Sequence, residues 1–143
     1  MQFPHHYTAS ANAQPESLVN LNVENLAELK SAPPKEFGGP GNQWSPEDLL
    51  MAAVADCFVL SFRAIAAASK FEWTDLTAEV TGTLDKVERA IQFTELTVKA
   101  NLTLPAGADE SRAQRLLEKA EQTCFITNSL KAEPHLEANI TTG

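Results

Sequence analysis

Two cysteines carry the clearest capacity for chemistry in this sequence. Cys57 and Cys124 are each followed directly by a phenylalanine, and each falls on an apolar face of a predicted helix. A thiolate is a nucleophile that can be oxidised to a sulfenic acid, and a second thiol then condenses with it to form a disulfide. The alternative is structural, because free cysteine is often buried as a small hydrophobic side chain. Residue type and spacing alone favour this structural interpretation.

The first cysteine lies in a helix with a well-marked beginning. Ser45 is a good N-cap, Pro46 suits the first helical position, and the acid Asp48 completes a variant capping box. Residues 49–68 are then apolar on nearly every face, which predicts a central helix that is enclosed on all sides. Cys57 lies about three turns inside this helix.

The same apolar stretch is about long enough to span a membrane. It contains Asp56 and Arg63, however, and it is rich in alanine rather than leucine or isoleucine. Charges near the centre of a bilayer are costly. We therefore expect the buried helix of a soluble protein and no membrane partner.

The second cysteine is predicted to lie in a later helix that begins after Asp109 as N-cap. Apolar or small side chains recur along this helix at intervals of one, three or four residues, at Leu116, Leu117, Ala120, Cys124 and Thr127. This pattern places Cys124 on a buried face, about four turns inside the helix.

Strands account for most of the remaining chain. Alternating patterns predict a hairpin over residues 7–23 with a turn at 14–16, and the segment 26–44 is predicted to be a loop because of its prolines and glycines. Further strands are predicted over 76–84 and 96–104, with a bulge near Thr94 and Glu95, and a last strand follows Pro134. The order indicates one α+β domain over residues 1–143. A central helix that is apolar all round needs more cover than this chain supplies, which predicts an obligate homodimer.

Composition excludes several kinds of partner. A net charge of −8 and a pI near 4.8 oppose attraction to nucleic acid or to anionic lipid. The N-terminus lacks the pattern of a secretory signal, so we expect a cytoplasmic protein whose two cysteines rest as thiols.

Neither a metal ion nor an organic cofactor is expected. His5, His6 and His135 form no ligand pair with the short spacing of structural zinc sites. The glycine-rich residues 38–41 lack the Gly-Lys-Ser/Thr ending of a phosphate-binding loop. We therefore interpret these glycines as a turn.

Three ordered segments resemble the OsmC/Ohr peroxidases. They are Phe37-Gly38-Gly39-Pro40, then Ser45-Pro46-Glu47-Asp48-Leu49-Leu50 running into Ala52-Ala53-Val54-Ala55-Asp56-Cys57-Phe58, and then Ala120-Glu121-Gln122-Thr123-Cys124-Phe125-Ile126-Thr127-Asn128-Ser129-Leu130. The second segment resembles the family's first cysteine helix and the third resembles its second. The resemblance extends from about residue 33 to the C-terminus.

The resemblance implies an intertwined homodimer of antiparallel sheets around a central helix, with two sites at the subunit interface. By position, Cys57 matches the peroxidatic thiol, Cys124 the resolving thiol, and Glu47 a carboxylate that organises the site. The implied activity is reduction of organic hydroperoxides, after which a dithiol reductant resets the cysteine pair. No cofactor is implied.

Glu47 also has a purely structural interpretation, because an acid in a first helical turn stabilises the helix dipole. Ten residues of helix separate it from Cys57, which is about 15 Å along the axis. Either the helix breaks between them, or the dimer brings Glu47 of one subunit to the Cys57 of the other, which we favour.

The chain also departs from the family pattern. Characterised hydroperoxide-resistance members carry an arginine in the N-terminal region, whereas this chain has none before Arg63, and Lys30 and Lys35 are the candidate substitutes. In addition, Asp56 disfavours a thiolate at its neighbour, and no helix N-terminus is expected nearby to compensate. Both features support an alternative function, namely a non-catalytic relative that binds a small apolar or thiol-containing ligand at the dimer interface.

Overall fold

The computed structural model describes residues 2–143. The chain divides into two compact units, one ending at Leu50 and the other beginning at Met51. The α+β class is confirmed by the helices and the two small sheets. That the whole chain forms one domain stays a prediction.

The first unit carries a three-stranded antiparallel sheet. Strands β1 (Ser10–Asn12) and β2 (Val19–Asn22) form the predicted hairpin. Strand β3 (Leu29–Ser31) pairs with β2, so the prediction that 26–44 is entirely loop is wrong at these residues. Three residues are too few to show a strand period in the sequence, and here the pairing with β2 decides their conformation.

A glycine turn follows, after a short 3-10 helix at Lys35–Phe37. The Gly39 amide donates to the carbonyl oxygen of Pro34 at 3.1 Å. A Cβ at position 39 would fall on the carbonyl oxygen of Pro33. The motif therefore needs glycine at this point, because the backbone passes too close for any side chain.

Helix α1 (Pro46–Ala68) begins where the sequence predicts. The Asp48 amide donates to the Ser45 hydroxyl at 3.1 Å, and the Ser45 amide donates back to the Asp48 carboxylate at 3.2 Å. This reciprocal pair is a capping box with aspartate in place of glutamate.

The second unit contains a sheet in the order β4 (Asp75–Val87), β5 (Ala90–Leu104) and β6 (Pro134–Thr142). Thr83 lies opposite Glu95 while Leu84 lies opposite Phe93, so Thr94 is bulged out of the ladder as predicted. Strand β6 runs parallel to β5, which differs from the antiparallel arrangement that the resemblance implies. The segment between β5 and β6 is helical, and it is the kind of crossover that parallel neighbours require.

That crossover contains α2 (Glu110–Thr123) and the short α3 (Phe125–Asn128). Asp109 caps α2 as predicted, accepting from the Arg112 amide at 3.1 Å. The prediction that Cys124 lies inside a continuous helix is wrong, because its backbone is extended (φ −67°, ψ 117°) and the helix breaks there. The Cys124 carbonyl then accepts from the Asn128 amide at 3.0 Å and the Thr127 hydroxyl at 3.2 Å, which begins α3.

One stripe of α1 enters the hydrophobic core. Its members recur every four residues, at Val54, Phe58, Phe62 and Ala66. They form one cluster with buried side chains of β5 and α2, including Leu102, Leu104 and Leu117. This packing marks a core helix, although α1 is also the one helix among residues 2–143 that is long and apolar enough to cross a membrane.

The opposite face of α1 is not covered by the chain itself. Leu60 is 46% exposed, and Ala64, Ala67 and Ala68 are exposed as well. The sequence predicts that α1 is enclosed on every side, but the second unit alone covers only one face of it.

Candidate thiol site

Cys57 lies on α1 at the edge of an apolar hollow and is half-buried. The hollow has a volume of about 440 Å³. Its lining comes from α1 and from the start of α3, and consists of Ala53, Asp56, Cys57, Leu60, Ser61, Ala64, Phe125 and Ile126. Such a space admits a small organic molecule beside the sulfur atom.

The second cysteine lies directly beside the first. Cys124 is 1% exposed at the break between α2 and α3, and it lies close enough to Cys57 for each thiol to affect the pKa of the other. The Sγ atom of Cys57 also lies 4.0 Å from the Ser61 hydroxyl, one helical turn along α1. The structure therefore brings the two sequence-predicted cysteines together.

The acidity of Cys57 is enhanced by its surroundings. Burial raises the pKa of this thiol, but the backbone amide of Ile126, the Cys124 thiol, the backbone amide of Phe125 and the Ser61 hydroxyl all lower it. Together these hydrogen bonds outweigh burial, so the pKa lies below its ordinary value. The arrangement stabilises a thiolate at Cys57.

Cys124 shifts in the opposite direction. Burial raises the pKa of its thiol, and the neighbouring Cys57 raises it further, while hydrogen bonds from Thr127 only partly offset this. Of the two thiols, Cys57 is therefore the one that loses its proton more easily. The more acidic thiol is the better source of a thiolate nucleophile.

The sequence-based expectation that nothing nearby compensates for Asp56 is wrong. The break at Cys124 turns the Phe125 and Ile126 amides toward the Cys57 sulfur. No sequence signal identified these two amides, because a continuous helix would have used them in its own hydrogen bonds. Ser61 could have been found, since it lies four residues after Cys57 on the same helix.

Glu47 lies in the first turn of α1, away from Cys57 on the same helix. Helix α1 is unbroken from Pro46 to Ala68, so the alternative in which the helix breaks between Glu47 and Cys57 is wrong. The Oε1 atom of Glu47 is buried and has no hydrogen-bond partner among residues 2–143. A buried carboxylate oxygen in this state is costly unless water or another donor satisfies it.

Lys30 and Lys35 are the candidate substitutes for the N-terminal arginine of the family, and Arg63 is the first arginine of the chain. Lys30 donates to the Asn20 side chain at 2.9 Å and lies 3.6 Å from Glu28. Lys35 and Arg63 are exposed. In the described part of the chain, no group of three or more potential ligands is arranged to hold a metal ion.

The opposite pKa shifts predict different pH profiles for alkylation. The Cys57 thiolate should persist below the pH at which a free cysteine loses its charge, so its reaction with iodoacetamide should have a midpoint shifted to lower pH. Cys124 should react slowly, with a midpoint shifted to higher pH. Peptide mass spectrometry after timed alkylation measures both, and identical profiles for the two cysteines would contradict the assignment.

Comparisons with known proteins are consistent with this geometry. Residues 39–139 match the family model for OsmC-like proteins. The uncharacterised protein YmaD of Bacillus subtilis is 27% identical over 97% of both chains. The peroxiredoxin OsmC of Escherichia coli is 30% identical over 65% of this chain and 64% of its own.

A solved structure shows the same fold. The crystal structure of an organic hydroperoxide resistance protein from Elizabethkingia anophelis superposes with a TM-score of 0.79. The alignment covers all of both chains at 21% sequence identity. At this identity the likeness establishes the architecture.

Proposed function

Since the chain belongs to the family of OsmC-like proteins, we propose that it is a thiol-dependent peroxidase that reduces organic hydroperoxides. The observation that carries this proposal is that two cysteines distant in sequence lie together beside an apolar hollow, and the lowered pKa of Cys57 supports it. The names of relatives, a peroxiredoxin and a hydroperoxide resistance protein, support the same chemistry.

The proposed reaction has two steps within the protein. The Cys57 thiolate attacks the outer oxygen of the hydroperoxide, the O–O bond breaks, and the alkoxide takes up a proton and leaves as an alcohol. Cys57 is then a sulfenic acid. The sulfur of Cys124 attacks it, an S–S bond forms, and the hydroxyl leaves as water with the proton from Cys124.

A dithiol reductant closes the cycle. It exchanges with the Cys57–Cys124 disulfide, becomes a disulfide itself, and returns both cysteines to thiols. We place this cycle in the cytoplasm, where thiols are kept reduced. The hydroperoxide thus gains two electrons that come from the external dithiol, and no cofactor is needed.

The lining of the hollow supports an organic substrate over hydrogen peroxide. Ala53, Leu60, Phe125 and Ile126 contribute hydrocarbon surface beside the sulfur atom. An alkyl or aryl group gains free energy by leaving water for such a surface, and hydrogen peroxide has no such group.

We also propose a homodimer in which the partner subunit completes the site. Phe125 is 77% exposed and Leu60 is 46% exposed, next to the uncovered alanines of α1. The buried Oε1 of Glu47 lacks a donor within the described chain. A second copy packed on α1 would cover the apolar side chains and bring Glu47 toward the partner's thiols.

The dimer predicts a doubled mass in solution. Sedimentation equilibrium or native mass spectrometry of the full chain should give twice 15.5 kDa at micromolar concentration. The variant Leu60→Glu, which buries a charge in that interface, should shift the equilibrium toward monomer, whereas Glu79→Gln on exposed β4 should not. A monomer at all concentrations would contradict this part of the proposal.

A second candidate function is ligand binding without catalysis. The observation in its favour is that no arginine precedes Arg63, while Lys30 is engaged with Asn20 and Glu28. In this case the hollow would hold a small apolar or thiol-containing molecule beside an inert Cys57.

Turnover distinguishes the two functions. Cumene hydroperoxide and dithiothreitol should be consumed together by catalytic amounts of the protein. The control is the same protein after alkylation of both thiols with iodoacetamide. Hydroperoxide loss at the rate of the alkylated control would contradict the peroxidase proposal and favour the binding function.

A further inference from the structure

Asp56 lies beside the thiol site, but it has no role in the proposed reaction. It precedes Cys57 on α1, is exposed, and lines the same apolar hollow. The other lining side chains are hydrocarbon, a hydroxyl and the thiol itself, so Asp56 is the only acidic or basic side chain in this lining. Asp56 is therefore the charged side chain that this chain itself contributes to the approach to the sulfur.

From this lining we propose that Asp56 is a specificity-determining residue that makes the site select uncharged hydroperoxides and reject those that carry a carboxylate near the peroxide group. The inference rests on the proposed peroxidase function for its substrate class. It concerns how easily an anionic molecule reaches Cys57, however, and this can be measured from alkylation rates without peroxidase activity.

The physical basis is repulsion between like charges in an apolar hollow. A partner's Glu47, which we propose approaches the same thiols, has the same sign as Asp56 and would add to the repulsion. The Phe125 and Ile126 amides favour negative charge on the Cys57 sulfur itself, since they donate to that atom. A carboxylate elsewhere on a substrate is not stabilised by these amides. In the hollow it would lie near the carboxylate of Asp56. Because Asp56 is exposed, solvent screens the repulsion, and we expect a discrimination of about 3- to 30-fold.

The direct test uses two alkylating reagents that differ in charge. Iodoacetamide is neutral and iodoacetate is an anion, and both react with the same sulfur. The ratio of their rates at Cys57 should favour iodoacetamide more strongly than the same ratio at free glutathione. Any change in thiol acidity affects both reagents alike and cancels in the ratio.

The variant Asp56→Asn should bring the ratio back toward the glutathione value, by about 3- to 30-fold at low ionic strength. The matched control is Asp75→Asn, which removes the same charge from an exposed residue at the start of β4, outside the hollow. Added salt should reduce the discrimination of the unmodified protein.

A second readout uses substrates. Cumene hydroperoxide with a para-carboxylate should be reduced more slowly than its methyl ester, and Asp56→Asn should narrow the ratio of their kcat/KM values by a similar factor. If neither hydroperoxide is reduced, the peroxidase proposal fails while the alkylation ratio still decides the role of Asp56. An alkylation ratio that is the same in the unmodified protein and in Asp56→Asn would overturn the role of Asp56, whatever the turnover.

Discussion

Replacing Cys57 by serine is expected to abolish hydroperoxide reduction, with a loss on the order of 10³-fold or more in kcat/KM. A hydroxyl has no accessible anion near neutral pH and cannot form a sulfenic acid, so the first step of the cycle has no nucleophile. Every other group near the sulfur acts through it. The Ile126 and Phe125 amides and the Ser61 hydroxyl have no catalytic purpose once the thiolate is gone.

The design needs proof that the variant folds. Cys57 is half-buried and serine is similar in size, so we expect a change in the free energy of unfolding of about 1 kcal/mol. Thermal unfolding and the oligomeric mass check this, with Thr81→Ser on exposed β4 as a matched control. A folded Cys57→Ser protein with undiminished turnover would show that Cys57 is a packing residue.

Replacing Cys124 has a different expected result, because the first step survives and the second does not. Without an external thiol, the Cys124→Ala variant should reduce one hydroperoxide per chain in a burst and then stop as the Cys57 sulfenic acid. Resolution by an adjacent thiol is intramolecular and gains a large effective concentration, which an external reductant cannot match. Steady-state turnover should therefore fall and become proportional to the concentration of the external thiol.

The trapped intermediate can be identified directly. Dimedone should label Cys57 in the oxidised Cys124→Ala protein and should label the unmodified protein far less. Excess hydroperoxide should carry the variant on to sulfinic acid. Alanine is preferred to serine because Cys124 is 1% exposed, and a buried hydroxyl without a partner costs about 1–3 kcal/mol. Unchanged turnover and no dimedone adduct would contradict a resolving role for Cys124.

The outline of the fold could be predicted because local rules decide it. Ser45, Pro46 and Asp48 fix the start of α1 through side-chain and backbone hydrogen bonds that lie within four residues. The shift of parity around Thr94 predicted the bulge for a similar reason, since the period of two in a strand reveals any extra residue.

Tertiary context decided the features that the sequence did not reveal. Strand β3 is three residues long and depends on its pairing with β2. The break at Cys124 carries no glycine or proline to mark it, and the apolar spacing continues through it from Leu117 to Thr127. The two amides that lower the pKa of Cys57 depend on this break, so the electrostatics of the site were hidden for the same reason.

The identity of the cysteine pair was available only through resemblance. Spacing alone favoured two buried structural thiols, and the structure then placed them side by side with opposite pKa shifts. Glu47 shows the limit of a single chain, because its buried oxygen lacks a partner among residues 2–143. Sequence patterns describe one chain, whereas we propose that two chains form this site.

If Cys57 and Cys124 form one redox centre, a thiol titration combined with intact mass should detect the disulfide between them. Purified protein is measured under native, non-reducing conditions before and after one equivalent of cumene hydroperoxide. We expect rapid loss of both thiols and a mass lower by two hydrogens, which marks an intramolecular disulfide. Two thiols that survive hydroperoxide unless the protein is denatured would show that the pair is not a redox centre, and would leave a ligand-binding relative on the same fold.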